Sequence, residues 1–212
     1  MSEPTQTFWK VTAFTTTSEG KLLILEHPTA GRQVPAGSVE PEESLEDAAR
    51  REVLEESGLD LPGPMTLLGV LENTLAPTKG VMSKTSPVFR DPKLQEATGA
   101  SIRRGITVLT EEHREHVVKV RHEEFDYSFT PPKLERSTDG WIRRENVADK
   151  MSRALFLVPF VGERQERWTQ TADGHVFSFL WVDLAPRPSL IAGQQEWLDA
   201  VYEQLIRMFP QR

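Results

Sequence analysis

The 212-residue chain has no cysteine, and that removes disulfide bonds, thiolate catalysis and zinc–cysteine sites at once. No apolar run reaches the length that a bilayer demands, so no membrane partner is expected. Cationic excess is also missing: 25 Lys and Arg stand against 32 Asp and Glu, a formal net charge of −7. Such a balance is poorly suited to tracking a long nucleic-acid backbone, which needs clustered basic side chains. It remains compatible with a small phosphorylated ligand bridged by metal. Met1 to Thr7 is polar and lacks a signal-peptide pattern, so a cytoplasmic protein is expected. What is present is an apolar fraction of 38%, enough for a core, and room for one large domain or one domain with an insertion.

The most informative stretch runs from Gly37 to Leu59, most of it helical in pattern. Ser44 is a good N-cap, Asp47 makes an approximate capping box, and acidic residues crowd the first turn, where the helix dipole favours them. Gly58 suits a left-handed C-terminal cap. At about 100° per residue, Leu45, Ala48, Ala49 and Val53 share one apolar face. Glu52 and Glu56 point into the middle of that face and Glu55 lies at its edge. Unpaired buried carboxylates cost several kcal/mol or are driven to protonate, and three together also repel. A divalent cation resolves the conflict, because hard oxygen ligands suit Mg²⁺ or Mn²⁺. An ordinary acidic surface helix would place its charges away from the apolar face.

Gly37, Glu43, Arg51, Glu52, Glu55, Glu56 and Gly58, with aliphatic Val53 and Leu59, match G-x5-E-x7-R-E-U-x-E-E-x-G-U at every fixed position, U being aliphatic. This resembles the signature of the Nudix hydrolases. The resemblance implies an α/β/α sandwich around a mixed sheet and hydrolysis between the phosphates of a nucleoside diphosphate derivative or related small metabolite. It also implies roles. Glu52 and Glu56 would be the main metal ligands; Glu55 would share the metals or orient and deprotonate water; the Gly37 carbonyl would be a further ligand. Arg51 would hold a glutamate of the motif by a bidentate pair. Glu43 is expected to anchor the loop rather than reach a metal through water. Many members add an acidic residue in a later loop; Glu163 and Glu166 are the candidates here, with Glu123, Glu124 and Asp126 as competitors. Trp168 is read in that same loop, for base stacking or lid packing.

Strands are expected at 8–17, 21–26, 65–72, 154–161 and 175–184, with a short extended piece at 32–36 before Gly37. Pro159 marks 154–161 as an edge or bulged strand. Residues 194–209 form an amphipathic helix with Trp197, Val201, Leu205 and Met208 on one face. Between about 74 and 152 the texture changes. Residues 78–98 read as loop, 101–110 and 116–121 as extended pieces around a polar turn at 111–115, and Asp139-Gly140 as a turn into a short strand. The order Arg-Gly-x-x-Val-Leu, polar turn, Val-x-Val, Gly-Trp-Ile is similar to bacterial SH3-like barrels. The expected organisation is therefore a Nudix domain made by 1–73 and 153–212, with a β-rich insertion at 74–152.

The substrate is not written in the sequence. Pro77 is late for the proline of ADP-ribose pyrophosphatases, no tyrosine stands where diadenosine-polyphosphate hydrolases have one, and an isopentenyl-diphosphate isomerase would need a cysteine. The alternatives are a non-catalytic nucleotide-binding or regulatory scaffold and an RNA 5′-end pyrophosphohydrolase using Arg103, Arg104, Lys119 and Arg121. The expected partner is a small nucleotide-type substrate, and the chain is expected to act alone or as a homodimer. Phe8, Trp9 and His27 read as strand-core and turn residues rather than as ligands.

Overall fold

Alternating burial along the strands organises the molecule, which was described from a computed structural model covering residues 6–27, 31–126, 129–172 and 175–209. The chain begins with β1 (Thr7–Thr16), β2 (Lys21–His27), β3 (Gly31–Gln33), β4 (Ala36–Ser38), helix α1 (Leu45–Ser57) and β5 (Thr66–Thr74). There follow β6 (Lys79–Met82), β7 (Ser86–Phe89), β8 (Ala97–Ile102), β9 (Thr107–Arg114), β10 (Val117–Asp126), β11 (Lys133–Arg143) and β12 (Val147–Ala148). It ends with β13 (Lys150–Pro159), β14 (Arg167–Ala172), β15 (His175–Asp183) and α2 (Ala192–Met208). The structure divides into two compact units: one of Trp9–Leu71 and Arg153 onward, the other of Glu72–Ser152 with the described residues up to Phe8.

In the first unit a sheet runs in the order β14-β15-β2-β1-β13-β5, with β3 on β2 and β4 on β1. Successive side chains of a strand face opposite ways. Ala154, Phe156 and Val158 of β13, with Val11 and Ala13 of β1, therefore meet Ala48, Ala49 and Val53 of α1. Leu155 and Leu157, with Phe14, Leu22 and Ile24, meet Leu198, Val201 and Leu205 of α2 on the other side. One helix on each face makes the α/β/α sandwich, and the strands between are buried on both faces, as sheets covered by helices are. Arg153 is buried on the α2 side; its Nη1 donates to Val11 O and Thr12 Oγ1, both at 2.9 Å, and its guanidinium lies 3.6 Å from the Trp197 ring centre. Burial lowers its pKa to about 10.

Several expectations for this unit change. β13 lies inside the sheet between β1 and β5, not at an edge; Pro159 is its exposed last residue, where no ladder bond is lost. The extended piece before α1 is two strands, and Gly37 lies within the second. Trp168 belongs to β14, paired with Phe179 of β15, and not to a loop; the aromatic run of β15 supplies the partner that the charged segment before it concealed. On α2 the buried stripe is Gln194, Leu198, Val201 and Leu205, while Met208 is exposed. Gln194 reaches inward because its side-chain oxygen accepts from Val34 N at 2.7 Å.

The second unit is a seven-stranded sheet, β12-β6-β9-β10-β11-β7-β8, antiparallel at every pairing recorded for it. Its core holds Met82, Val88, Ile102, Val108, Val118, Val120, Ile142 and Val147. The expected loop at 78–98 contains β6, β7 and the start of β8. Gly140 lies inside β11 rather than in a turn: a Cβ there would fall 2.5 Å from Phe89 O, so glycine serves close strand approach. The polar stretch 111–114 is strand as well, and the turn falls at Glu115 and His116. Polarity there reflects exposure, with Glu112 paired to Arg114 at 2.8 Å.

Candidate active site

Helix α1 starts and stops where its caps dictate. Ser44 Oγ accepts from Asp47 N at 3.0 Å and donates to the Asp47 carboxylate at 2.7 Å. Gly58 adopts φ 76°, and its N–H donates to Leu54 O. Between the caps the helix buries Ala48, Ala49, Val53 and Ser57. That orientation brings Glu52 to the border of the buried face, with only 12% of its side chain exposed, while Glu55 is 58% exposed. Glu56 is partly buried and its Oε2 is turned away from solvent.

Strand pairing fixes the other half of the site. Val11↔Gly37 and Lys10↔Ser38 hold β4 on β1. The Glu52 carboxylate lies directly over the Cα of Gly37: a Cβ built there would fall 1.9 Å from Oε1 and 2.2 Å from Oε2. Glycine is thus required by close approach. Arg51 ties the pieces together. Its Nε and Nη2 donate to the two oxygens of Glu43 at 2.9 and 3.0 Å, a bidentate pair. Nη1 donates to Glu52 Oε1 at 2.8 Å and to Glu55 Oε2 at 3.0 Å, so both carboxylates converge on one nitrogen. Nη2 also donates to Ser38 O at 2.9 Å, stapling helix to strand. Glu43 Oε2 in turn accepts from Glu40 N at 2.8 Å, which fastens the loop before the helix.

The electrostatics follow from this packing. Burial raises the pKa of Glu52, the hydrogen bond and charge of Arg51 oppose the rise, and the charges of Glu55 and Glu43 add to it. For Arg51 the Glu43 hydrogen bond is the leading influence; with Glu52 it holds the guanidinium more firmly protonated than usual, against its partial burial. Among the described residues, no three or more Asp, Glu or His side chains are gathered as a metal cluster. The cation that Glu52 and Glu55 share in this arrangement is the Arg51 guanidinium.

The later acidic candidates fare differently. Glu166 is exposed and paired with Arg164 at 2.8 Å, which also holds Glu19. Glu163 lines a pocket of about 200 Å³ at the end of α1, together with Trp168. Trp168 stacks on Phe179, centroids 5.2 Å apart at 17°, and its Nε1 donates to Ser57 O at 2.8 Å. Glu123 and Glu124 lie on β10 in the other unit, near Arg121 and near His122 and Arg136 respectively; the side chain of Asp126 is outside the described residues. Lys119 and Arg121 both pair with Glu111 and Arg104 stacks over Phe8, so these cations of the expected basic patch are engaged within the unit. Phe8 is buried, Trp9 packs against the α1-side core, and His27 lies against Phe177. Two contributors had no sequence signal: Ser38, which acts through its backbone carbonyl, and Arg50, which caps the loop after α1 by donating to Leu61 O and Gly63 O.

A sandwich whose capped helix presents buried carboxylates to a glycine strand defines a class of phosphoanhydride hydrolases. The NUDIX domain family model matches residues 7–201. The chain belongs to the Nudix family and is by class a Nudix-type pyrophosphohydrolase. Among curated proteins, none matches the sequence significantly. Similar solved structures include a MutT protein from Methanosarcina mazei Go1 at 15% identity and TM-score 0.42, covering 99% of this chain and 100% of that one. The E. coli dihydroneopterin triphosphate pyrophosphohydrolase is similar at 15% identity and TM-score 0.43, with 94% and 92% covered. A C. elegans Ap4A hydrolase is similar at 13% identity and TM-score 0.39, with 93% and 96% covered. No helix among the described residues is long and apolar enough to cross a membrane.

Proposed function

We propose that the chain is a divalent-metal-dependent hydrolase that cleaves the diphosphate linkage of a nucleoside diphosphate derivative or a related small phosphorylated metabolite. The observation that carries this reading is the Glu52 carboxylate seated against the Cα of Gly37, in a space that any Cβ would fill. Nothing in folding requires a glutamate whose charge is disfavoured by burial and by two neighbouring carboxylates. The donor set fits a hard cation: Glu52, Glu55 and Glu56 with the Gly37 carbonyl are all oxygen ligands, suited to Mg²⁺ or Mn²⁺. Bound there, the ion supplies neutralisation of the diphosphate oxygens and acidification of water.

The protein's own residues do the rest. Arg51 holds Glu43 bidentately and thereby sets the loop that enters α1. With its remaining nitrogen it fixes the rotamers of Glu52 and Glu55, so the carboxylates are preorganised. Glu55, the most exposed of the three, takes the proton of the attacking water and passes it to solvent. The same reading treats residues 74–152 as a segment inserted into the hydrolase domain. Its support is that the chain leaves one compact unit after Leu71 and returns to it at Arg153.

The test is turnover of a panel of nucleoside diphosphate derivatives and other small diphosphates, with Mg²⁺, Mn²⁺ or chelator. Metal-dependent release of phosphate or mononucleotide is expected. Absence of turnover across the panel, together with absence of divalent-ion binding, would leave a nucleotide-binding scaffold instead.

A further inference from the structure

The pocket at the end of α1 has a chemistry of its own. Its wall is formed by Gly58, Phe160, Glu163, Trp168, Gln170 and Trp181, around about 200 Å³. Both indole N–H groups are spent on backbone: Trp168 Nε1 donates to Ser57 O at 2.8 Å and Trp181 Nε1 to Gln165 O at 3.1 Å. The indoles are pinned by these bonds, and Trp168 further by its stack on Phe179, so neither offers a ligand a free N–H. Phe160 and Trp181 have centroids 4.9 Å apart at 52°, and Trp168 and Trp181 6.3 Å apart at 43°. Tilted rings this close form a concave corner. A flat base sandwiched between two rings would need parallel faces about 7 Å apart, twice the ordinary contact distance.

The formal charge lining that corner has one sign. Aromatic faces are negative. The C-terminal carbonyls of α1 carry the negative end of the helix dipole, and no basic residue in the last turn offsets it. Glu163 lines the pocket, is exposed, and has no ion pair or hydrogen bond to another described residue. No Lys, Arg or His is among the lining residues, so a phosphate or carboxylate would find no cationic partner. A small hard cation would find one carboxylate, Glu163, and otherwise only the neutral amides of Gln165 and Gln170 beside three aromatic rings. The ligand that matches is a weakly hydrated organic cation with an apolar surface. We infer that this pocket binds an alkylated ammonium group, cradled by Trp168, Trp181 and Phe160 and balanced by Glu163 and the carbonyl end of α1.

The inference stands whether or not the chain hydrolyses a diphosphate, and its test reads binding alone. The full chain, without metal or diphosphate, is titrated with tetramethylammonium chloride at constant ionic strength, with saturation transfer to the methyl protons as the signal. Choline and its uncharged isostere 3,3-dimethylbutan-1-ol are titrated in parallel. Saturable tetramethylammonium binding is expected, with choline held at least threefold tighter than the isostere. Glu163→Gln should weaken the cation roughly two- to fivefold, and Trp181→Leu should abolish saturable binding. Because Glu163 is exposed, its variant keeps the test decisive if Trp181→Leu does not fold. Equal affinity for choline and the isostere, an unchanged affinity in Glu163→Gln, or no saturable binding would each overturn the inference.

Discussion

Gly37→Ala separates site geometry from stability more sharply than removal of any glutamate. The added methyl would fall 1.9–2.2 Å from the Glu52 carboxylate, where ordinary contact begins at 3.4 Å. The carboxylate must therefore recede by about 1.2–1.5 Å. The obstacle is the free end of a side chain, so the backbone can stay in place. The displacement breaks or lengthens the 2.8 Å bond from Arg51, a loss of about 1–2 kcal/mol for a charge-assisted hydrogen bond. Reduced freedom of the unfolded chain returns about 0.4–1 kcal/mol. Net destabilisation should be about 1 kcal/mol, a fall in Tm of roughly 2–4 °C for a chain of this size. A misplacement of about 1 Å at a reacting site costs on the order of 100-fold in rate. The expected result is a loss of about 100-fold in kcat with a nearly unchanged melting curve. Gly63→Ala is the control, since a Cβ there meets nothing within 4 Å; it should leave kcat unchanged and, if anything, raise Tm slightly through the same unfolded-state effect. Full activity in Gly37→Ala would refute the seating of Glu52, and a Tm collapse beyond about 10 °C would refute the claim that the backbone is undisturbed.

Other outcomes follow from the same geometry. Glu56→Gln should reduce turnover by at least about 100-fold with the fold intact by circular dichroism, and chelation of divalent ions should do the same to the parent chain. In metal-free protein, Glu52 has a raised pKa, so the folded state binds its proton more tightly than the unfolded state. Stability should then fall as pH rises from the ordinary carboxylate value through the raised one. Glu52→Gln removes that fall and should be more stable than the parent at pH 7, with no advantage below about pH 4; chemical denaturation at the two pH values decides it. Ser44→Ala deletes the acceptor of Asp47 N and should cost about 1 kcal/mol in the same assay while leaving metal affinity unchanged.

Legibility tracked the range of the interactions involved. Helix α1 could be bounded from its own residues because Ser44, Asp47, Leu54 and Gly58 act on neighbours within four positions. The misplaced glutamates were visible for the same reason: a helix repeats itself, so its buried face can be drawn before its partner is known. Strand ends in the 74–152 stretch are not legible, because the glycines and prolines of 78–98 read as loop and Gly140 as part of a turn. Only their neighbours reveal what they do; Gly80, for example, would put a Cβ 2.3 Å from Val147. Trp168 reads as a loop residue in the sequence because its stacking partner, Phe179, lies on the next strand.

By itself, then, the sequence determined a capped helix with three carboxylates on or beside its apolar face, and membership of the Nudix family. Tertiary structure alone decided what those carboxylates meet. Glu52 rests on Gly37 only because β4 pairs with β1, Val11 opposite Gly37. Arg51 becomes a hub only when Glu43, Ser38, Glu52 and Glu55 are folded around one guanidinium. The pocket of tilted rings exists only once β14 pairs with β15 beside the end of α1. The physical reason is one of distance along the chain: caps and helical faces are set by nearest neighbours, whereas strand register and side-chain convergence join segments that local preference cannot bring together.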